Sequence, residues 1–323
     1  MLNRRFARYA WGVVGFNLLV IVWGAFVRAS GSGAGCGSHW PLCNGAVIPP
    51  APQIETLIEF SHRLTSGAAL LMVLGMLVWS FRAYPRGHTV RGGAVASMGF
   101  MVVEALIGAA LVLLGLVADN ASLWRALILA FHLVNTFLLL GALILTAWWA
   151  SGGQPLDLRG RGSLVALLVP GLLGVLLVGS SGAVTALGDT LLLSGALPGG
   201  VSQTVGQANS PLVQLRVIHP ILGMLVGIYT LFLARRVAEQ VPGQSTRRLG
   251  IGLVAVFLAQ ILGGGLNVTL KAPVAMQLIH LLMADLVWIL LVLLSAEALA
   301  RRATSAVLER SAEGLGQPQP STR

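Results

Sequence analysis

The sequence predicts an all-α integral membrane protein of eight transmembrane helices, arranged as two parallel-repeat four-helix bundles. Three observations predict it: an apolar composition, the spacing of the apolar segments and an internal repeat. Of 323 residues, 56% are hydrophobic and 10% charged, with a mean hydropathy of +0.83, which excludes an ordinary soluble globule.

Segments long enough to cross a hydrocarbon core, at about 20 residues each, lie at about 11–28, 60–81, 93–117 and 125–149. A second set follows at about 164–180, 213–234, 249–268 and 275–297. No alternating pattern of the kind that builds a membrane barrel is present, so the spans are helices. Arginines precede the first apolar stretch as in a signal peptide. That stretch is long and lacks a small-residue cleavage site, so it is read as a retained first helix.

Basic residues gather on one side: Arg4, Arg5 and Arg8; Arg82, Arg86 and Arg91; Arg159 and Arg161; Arg235, Arg236, Arg247 and Arg248; Arg301, Arg302 and Arg310. The opposite side holds only Arg28, Arg125, Arg216 and Lys271, some at helix ends where a side chain can snorkel. The expectation is a multi-pass protein of the cell membrane with both termini cytoplasmic. The net charge of +10 follows from this asymmetry toward anionic lipid and signals no nucleic-acid partner.

The first helix runs into Val27-Arg28-Ala29-Ser30-Gly31 and the fifth into Val178-Gly179-Ser180-Ser181-Gly182, each followed by a long outer loop. Helices three and seven correspond through Glu104-Ala105-Leu106-Ile107-Gly108 and Gln260-Ile261-Leu262-Gly263-Gly264. The expected units are an N-terminal bundle, 1–150, with an outer loop at 29–58, and a C-terminal bundle, 163–300. A cytoplasmic linker at 151–162 joins them and a polar tail at 301–323 follows. Four crossings per unit start both on the same face, which makes the repeat parallel.

His62, His132, His219 and His280 sit near the outer ends of the second, fourth, sixth and eighth segments, one pair in each half. Paired intramembrane imidazoles at matched depth read as axial ligands of haem iron, two clamps for two haems. For any one of them alone, the competing reading is a core histidine bonded to a neighbouring carbonyl. His39 and His88 fall outside the pattern.

Glu59 precedes His62 by three residues and so shares its helix face, where it can take a proton near a haem edge. Alternatively it favours the positive end of the second helix. The second half has Arg216 in that place, and this asymmetry suggests an enzyme. Arg63 and Arg216 are candidates for haem propionates or for lipid phosphate. Glu104 and Asp285 are intramembrane acids, fit for a proton path or for a helix–helix hydrogen bond. Cys36 and Cys43, the only cysteines, lie in an outer loop, which invites a disulfide. A free redox pair, or a metal site with His39, is the competing reading.

Taken together, Glu59-Phe60-Ser61-His62-Arg63, the loop from Gly35-Cys36-Gly37 to Pro41-Leu42-Cys43, Phe131-His132-Leu133-Val134-Asn135, Ile218-His219-Pro220 and Leu278-Ile279-His280 resemble haem A synthase. That membrane family converts haem O to haem A for cytochrome oxidase. The resemblance spans about residues 10–297. It implies that His62 and His132 face the substrate haem O, with Glu59 beside them and Cys36/Cys43 in the covering loop. It also implies that His219 and His280 hold a haem b cofactor.

The reaction implied is oxidation of the C8 methyl of haem O to a formyl group by successive hydroxylation. Electrons would leave through haem b to a membrane acceptor such as a quinone, and haem O synthase is the implied partner upstream. Many bacterial relatives carry a second cysteine pair in the loop between helices five and six; here Ser194–Gly200 has none. The alternative function is a di-haem b-type membrane cytochrome for quinone-linked electron transfer, against which Glu59, present in one half only, discriminates.

Overall fold

The computed structural model describes residues 3–193 and 211–301, and of residues 192–193 and 211–216 it describes the backbone alone. These residues form α1 (Arg4–Ala29), α2 (Ile54–Ala83), α3 (Thr89–Leu113), α4 (Leu123–Ala150), α5 (Gly162–Leu193), α6 (Pro211–Gln240), α7 (Gln244–Thr269) and α8 (Val274–Leu299). All eight are long and apolar enough to cross a membrane. Among the described residues there is no strand, only two isolated bridges. The expected fold class is thus the one found. Its cause is general: a chain in lipid has no water for its N–H and C=O groups and must close those bonds within each segment.

Helix ends follow local chemistry. Asn3 Oδ1 accepts from Phe6 N at 3.1 Å and Ser122 Oγ from Arg125 N at 3.3 Å, satisfying N–H groups that a first turn leaves free. Beyond α1, Gly31 adopts φ +72°, a conformation that glycine takes at little cost. The expected end of α5 near residue 180 is corrected, because that helix runs on to Leu193. Its Gly/Ser stretch does not break it: Ser180 Oγ donates to Leu176 O and Ser181 Oγ to Val178 O, both at 2.8 Å. Such back-bonds keep a serine helical.

Helix α2 begins at Ile54, so Glu59 lies in its second turn and Glu55 is the acid of the first. The dipole reading therefore suits Glu55 better than Glu59.

Helices α1 to α4 pack in a closed ring, each on its neighbours and α4 back on α1; α5 to α8 close in the same way. Between the rings α4 lies against α5 and α8, and α1 against α8. The apolar core runs through this seam, where Phe137, Leu140 and Leu143 meet Trp288 and Leu291. The Phe137 and Trp288 rings stack at 5.4 Å, and Trp288 Nε1 donates to Phe137 O at 2.6 Å. The 151–162 segment is pinned beneath α8: Asp157 N donates to Leu299 O and Arg301 N to Pro155 O, at 2.8 and 2.9 Å.

The seam yields a prediction. Trp288→Phe should destabilise the protein by about 1–3 kcal/mol, through the lost hydrogen bond and the lost ring volume. Leu262→Ala, at a side chain 74% exposed, should change stability much less. Thermal unfolding in detergent, followed by circular dichroism, compares the two; equal effects would refute the seam's importance.

Candidate functional site

The four histidines are half-buried, in α2, α4, α6 and α8. Three are seated against a glycine of a neighbouring helix. A Cβ at Gly24 of α1 would stand 2.9 Å from His62 Cε1, one at Gly182 of α5 would stand 3.0 Å from His219 Cε1, and one at Gly264 of α7 would stand 3.0 Å from His280 Cε1. A side chain in these places would press on the ring and make it shift. Ser181 Oγ lies 3.0 Å from His219 Nδ1, and Gln260 Nε2 lies 3.3 Å from His280 Nε2.

His132 is held differently. Its Nδ1 is 3.3 Å from Glu104 Oε1, close but off the direction of a hydrogen bond, so this nitrogen has no aligned partner. Glu104 is fixed from α4 by Asn135 Nδ2, which donates to Oε2 at 2.6 Å, and by Thr136 Oγ1, which donates to Oε1 at 2.5 Å. Asn135 and Thr136 follow His132 by three and four residues and so share its face. In the sequence, only their spacing from His132 signals Asn135 and Thr136 as partners of this site.

Glu59 is buried at 4% exposure, with both oxygens engaged. Cys36 N donates to Oε2 at 2.8 Å, and Arg63 donates to Oε1 through Nε at 3.1 Å and Nη2 at 2.5 Å. Arg63 Nη1 also donates to His39 O and Leu42 O, both at 2.7 Å. Cys36 and Cys43 are joined in a disulfide, so neither thiol is left for a metal. The pair Glu59–Arg63 thus ties the disulfide loop to α2 one turn from His62. A Cβ at Gly35 would collide with the backbone of Glu55 and Thr56, so the loop also needs a glycine where it crosses α2.

Arg28, read as a residue at a helix end, instead joins the halves. It donates to Ala186 O at 2.8 Å and Thr190 Oγ1 at 2.7 Å on α5, and to Gln277 Oε1 at 2.9 Å on α8. Arg125 is buried, bonded to Ala118 O and Asn120 O. Spacing gave no sign of either role. Asp285 is fully buried in α8, and neither of its oxygens has a hydrogen-bond partner. The side chain of Arg216 and the Ser194–Gly200 loop lie outside the described residues. His39 and His88 stand apart from the four histidines: the first lies in the disulfide loop, and the second caps α3 through Val90 N.

The residues fit a haem. Burying a polar nitrogen without a partner costs about 1–3 kcal/mol, yet Nδ1 of His62 and of His280 are so placed. A metal–imidazole bond of about 2 Å puts two clamping rings roughly 6 Å apart, centre to centre. The His219 and His280 rings are 6.3 Å apart. The described residues contain no group of three or more protein ligands for a metal ion, and an axial pair needs none, since a porphyrin supplies the remaining nitrogens.

A family model described as "Cytochrome oxidase assembly protein" matches residues 7–292. Proteins named protoheme IX farnesyltransferase from two strains of Thermus thermophilus are 52% identical to this chain over 311 residues, 96% of it and 51% of each of them. The chain therefore spans about half the length of these relatives. A protein named haem A synthase from Bacillus mycoides is 42% identical over 113 residues, 35% of this chain and 36% of that protein. With a match running from α1 into α8, the chain is a multi-pass membrane protein and belongs to the cytochrome oxidase assembly protein family.

Proposed function

We propose that the protein is a haem A synthase, an oxidoreductase that converts the C8 methyl of haem O to a formyl group through hydroxylated intermediates. The observation that carries this reading is an asymmetry between the halves: Glu59, tied to the disulfide-bonded loop, stands one turn before His62, whereas Arg216 holds the equivalent place before His219. The haem A synthase relatives support it.

In this reading His62 and His132 hold the substrate haem O, and His219 and His280 hold haem b. When bound, haem b supplies one-electron chemistry as a relay toward a membrane acceptor such as a quinone. The protein's own part is position and charge. Gly24, Gly182 and Gly264 set the rings. The disulfide loop, clamped by Glu59 and Arg63, covers the first site, where oxidation of the methyl to a formyl group consumes one water and releases four protons and four electrons. Glu59, held by Arg63 and Cys36 N, keeps a negative charge beside the first site, where it stabilises the positive charge that develops as the methyl group is oxidised. Both termini are cytoplasmic and the four histidines lie toward the outer face, as the arginine distribution supports.

The name of the Thermus relatives is accommodated by their length. This chain matches 51% of them, and the farnesyl transfer belongs to the part it does not match. Metal-assisted transfer of a diphosphate-activated group calls for clustered carboxylates. Among the described residues no three such side chains gather to hold a metal ion, and Glu59 is committed to Arg63 and Cys36. A farnesyltransferase acting on protohaem makes the farnesylated haem that this chain would consume, which supports haem O synthase as a partner.

The test is to express the chain with a protohaem farnesyltransferase in a host that makes no haem A and to resolve the extracted haems by chromatography and mass. Haem A or its hydroxylated precursor should appear only with this chain. Untouched haem O in a folded, haem-loaded protein would refute the synthase and leave an electron-transfer cytochrome.

Two variant sets follow. His219→Ala or His280→Ala should lose the haem b absorbance, whereas Glu59→Ala should keep it and accumulate haem O or a hydroxylated intermediate; haem A production by Glu59→Ala at the parent level would remove Glu59 from the mechanism. Gly264→Ala should displace His280 and deplete the second haem several-fold. Gly265→Ala, whose added Cβ meets nothing within 4 Å, should retain it. Equal haem contents in the two glycine variants would count against the seat at Gly264.

A further inference from the structure

The two halves place equivalent residues against the histidines of their fourth helices, and those equivalents differ in charge. Glu104 of α3 corresponds in the repeat to Gln260 of α7, and His132 of α4 to His280 of α8. Each stands 3.3 Å from a ring nitrogen: Glu104 Oε1 from His132 Nδ1, Gln260 Nε2 from His280 Nε2. One half therefore sets a carboxyl group against its histidine and the other a neutral amide.

The surroundings differ to match. Asn135 and Thr136 both donate to Glu104, and Asn135 Nδ2 also donates to Phe100 O at 2.9 Å. The residues three and four beyond His280 are Met283 and Ala284, whose side chains have no donor to offer a carboxyl group. Three positions thus change together, from Glu, Asn and Thr to Gln, Met and Ala. A lone Glu/Gln difference could be drift, but a carboxyl group accompanied by the two donors that fix it is a built feature.

We infer that Glu104 is a positioning residue that lowers the reduction potential of the haem held by His62 and His132 relative to the haem held by His219 and His280. A carboxylate against the outer nitrogen of an axial imidazole fixes the ring and raises its basicity. Added negative charge favours ferric over ferrous iron, and hydrogen bonding and charge around the ligands are among the means by which a protein sets a haem potential. The difference has the useful sign, since electrons then leave the first site for the second. This inference rests on the proposed reading that the four histidines ligate two haems.

The experiment is a potentiometric titration of the full chain, purified in detergent and loaded with haem b, in a His219→Ala background so that the first site alone is read. Glu104→Gln should raise its midpoint by about 59 mV, the one-electron equivalent of a tenfold change, with haem content preserved. The second-site haem, read in a His62→Ala background, should not move on Glu104→Gln. A first-site midpoint unchanged by Glu104→Gln, with haem still bound, overturns the inference and leaves the proposed function standing. Haem b that fails to load at the first site, or that stays bound after His132→Ala, overturns the ligand reading itself. Should Glu104→Gln not fold, Thr136→Val, which frees one carboxyl oxygen, is measured in its place: a smaller rise supports the inference and an unmoved midpoint overturns it.

Discussion

In a medium without water, every polar group must be answered by the protein or by something the protein binds, and this structure is organised by that requirement. It makes the chain helical, and it also decides what each polar side chain does. Ser180 and Ser181 bond back to their own helix. Arg28 finds oxygens on α5 and α8, so that one half-buried guanidinium becomes a tie between the halves. Against this background the unpaired histidine nitrogens stand out. Nδ1 of His62 and of His280 have no partner, as have Arg125 Nε and both carboxyl oxygens of Asp285; of these groups, an imidazole nitrogen is the one that a haem iron would answer.

The same requirement explains the outer loop. A carboxylate and a guanidinium in partly apolar surroundings are costly apart, and removing one partner of a buried pair costs several kcal/mol. Glu59 and Arg63, one turn apart on α2, meet that cost together and extend it to the loop, because Cys36 N, His39 O and Leu42 O complete their hydrogen bonds. The disulfide shortens the loop's freedom, and the ion pair fixes where the shortened loop sits. Covering the first site and placing a carboxylate beside it are therefore one construction.

The spans, the repeat, the four histidines and the Cys36/Cys43 pair were legible in the sequence, since each is a matter of residue type and spacing within one segment. The reach of α5 past its Gly/Ser stretch was not, because hydrogen bonds from Ser180 and Ser181 to their own backbone leave no trace in composition. Arg28 and Arg125 look, in sequence, like any basic residue at a helix end; burial and partners on distant helices distinguish them. Glu104 was visible as an intramembrane acid, but its attachment to His132 depends on how α3 and α4 pack, which no single-helix pattern contains. The glycine seats belong to the same class: Gly24, Gly182 and Gly264 lie among many glycines, and only the facing ring gives them meaning.

A duplicated scaffold poses a problem that narrows its own solutions. If both halves grip iron with two histidines, the identity of the axial ligands cannot make one site reactive and the other a relay. What remains is hydrogen bonding, charge and solvent access around the ligands. Those are the respects in which the described halves differ. Glu59, Arg63 and the disulfide loop are tied together one turn from His62, and Glu104, held by Asn135 and Thr136, lies beside His132. Gln260 keeps the place of Glu104 in the second half without its charge. Changes of this kind leave the helices, the glycine seats and the ring positions alone, so two copies of one bundle can diverge in chemistry while keeping the same fold.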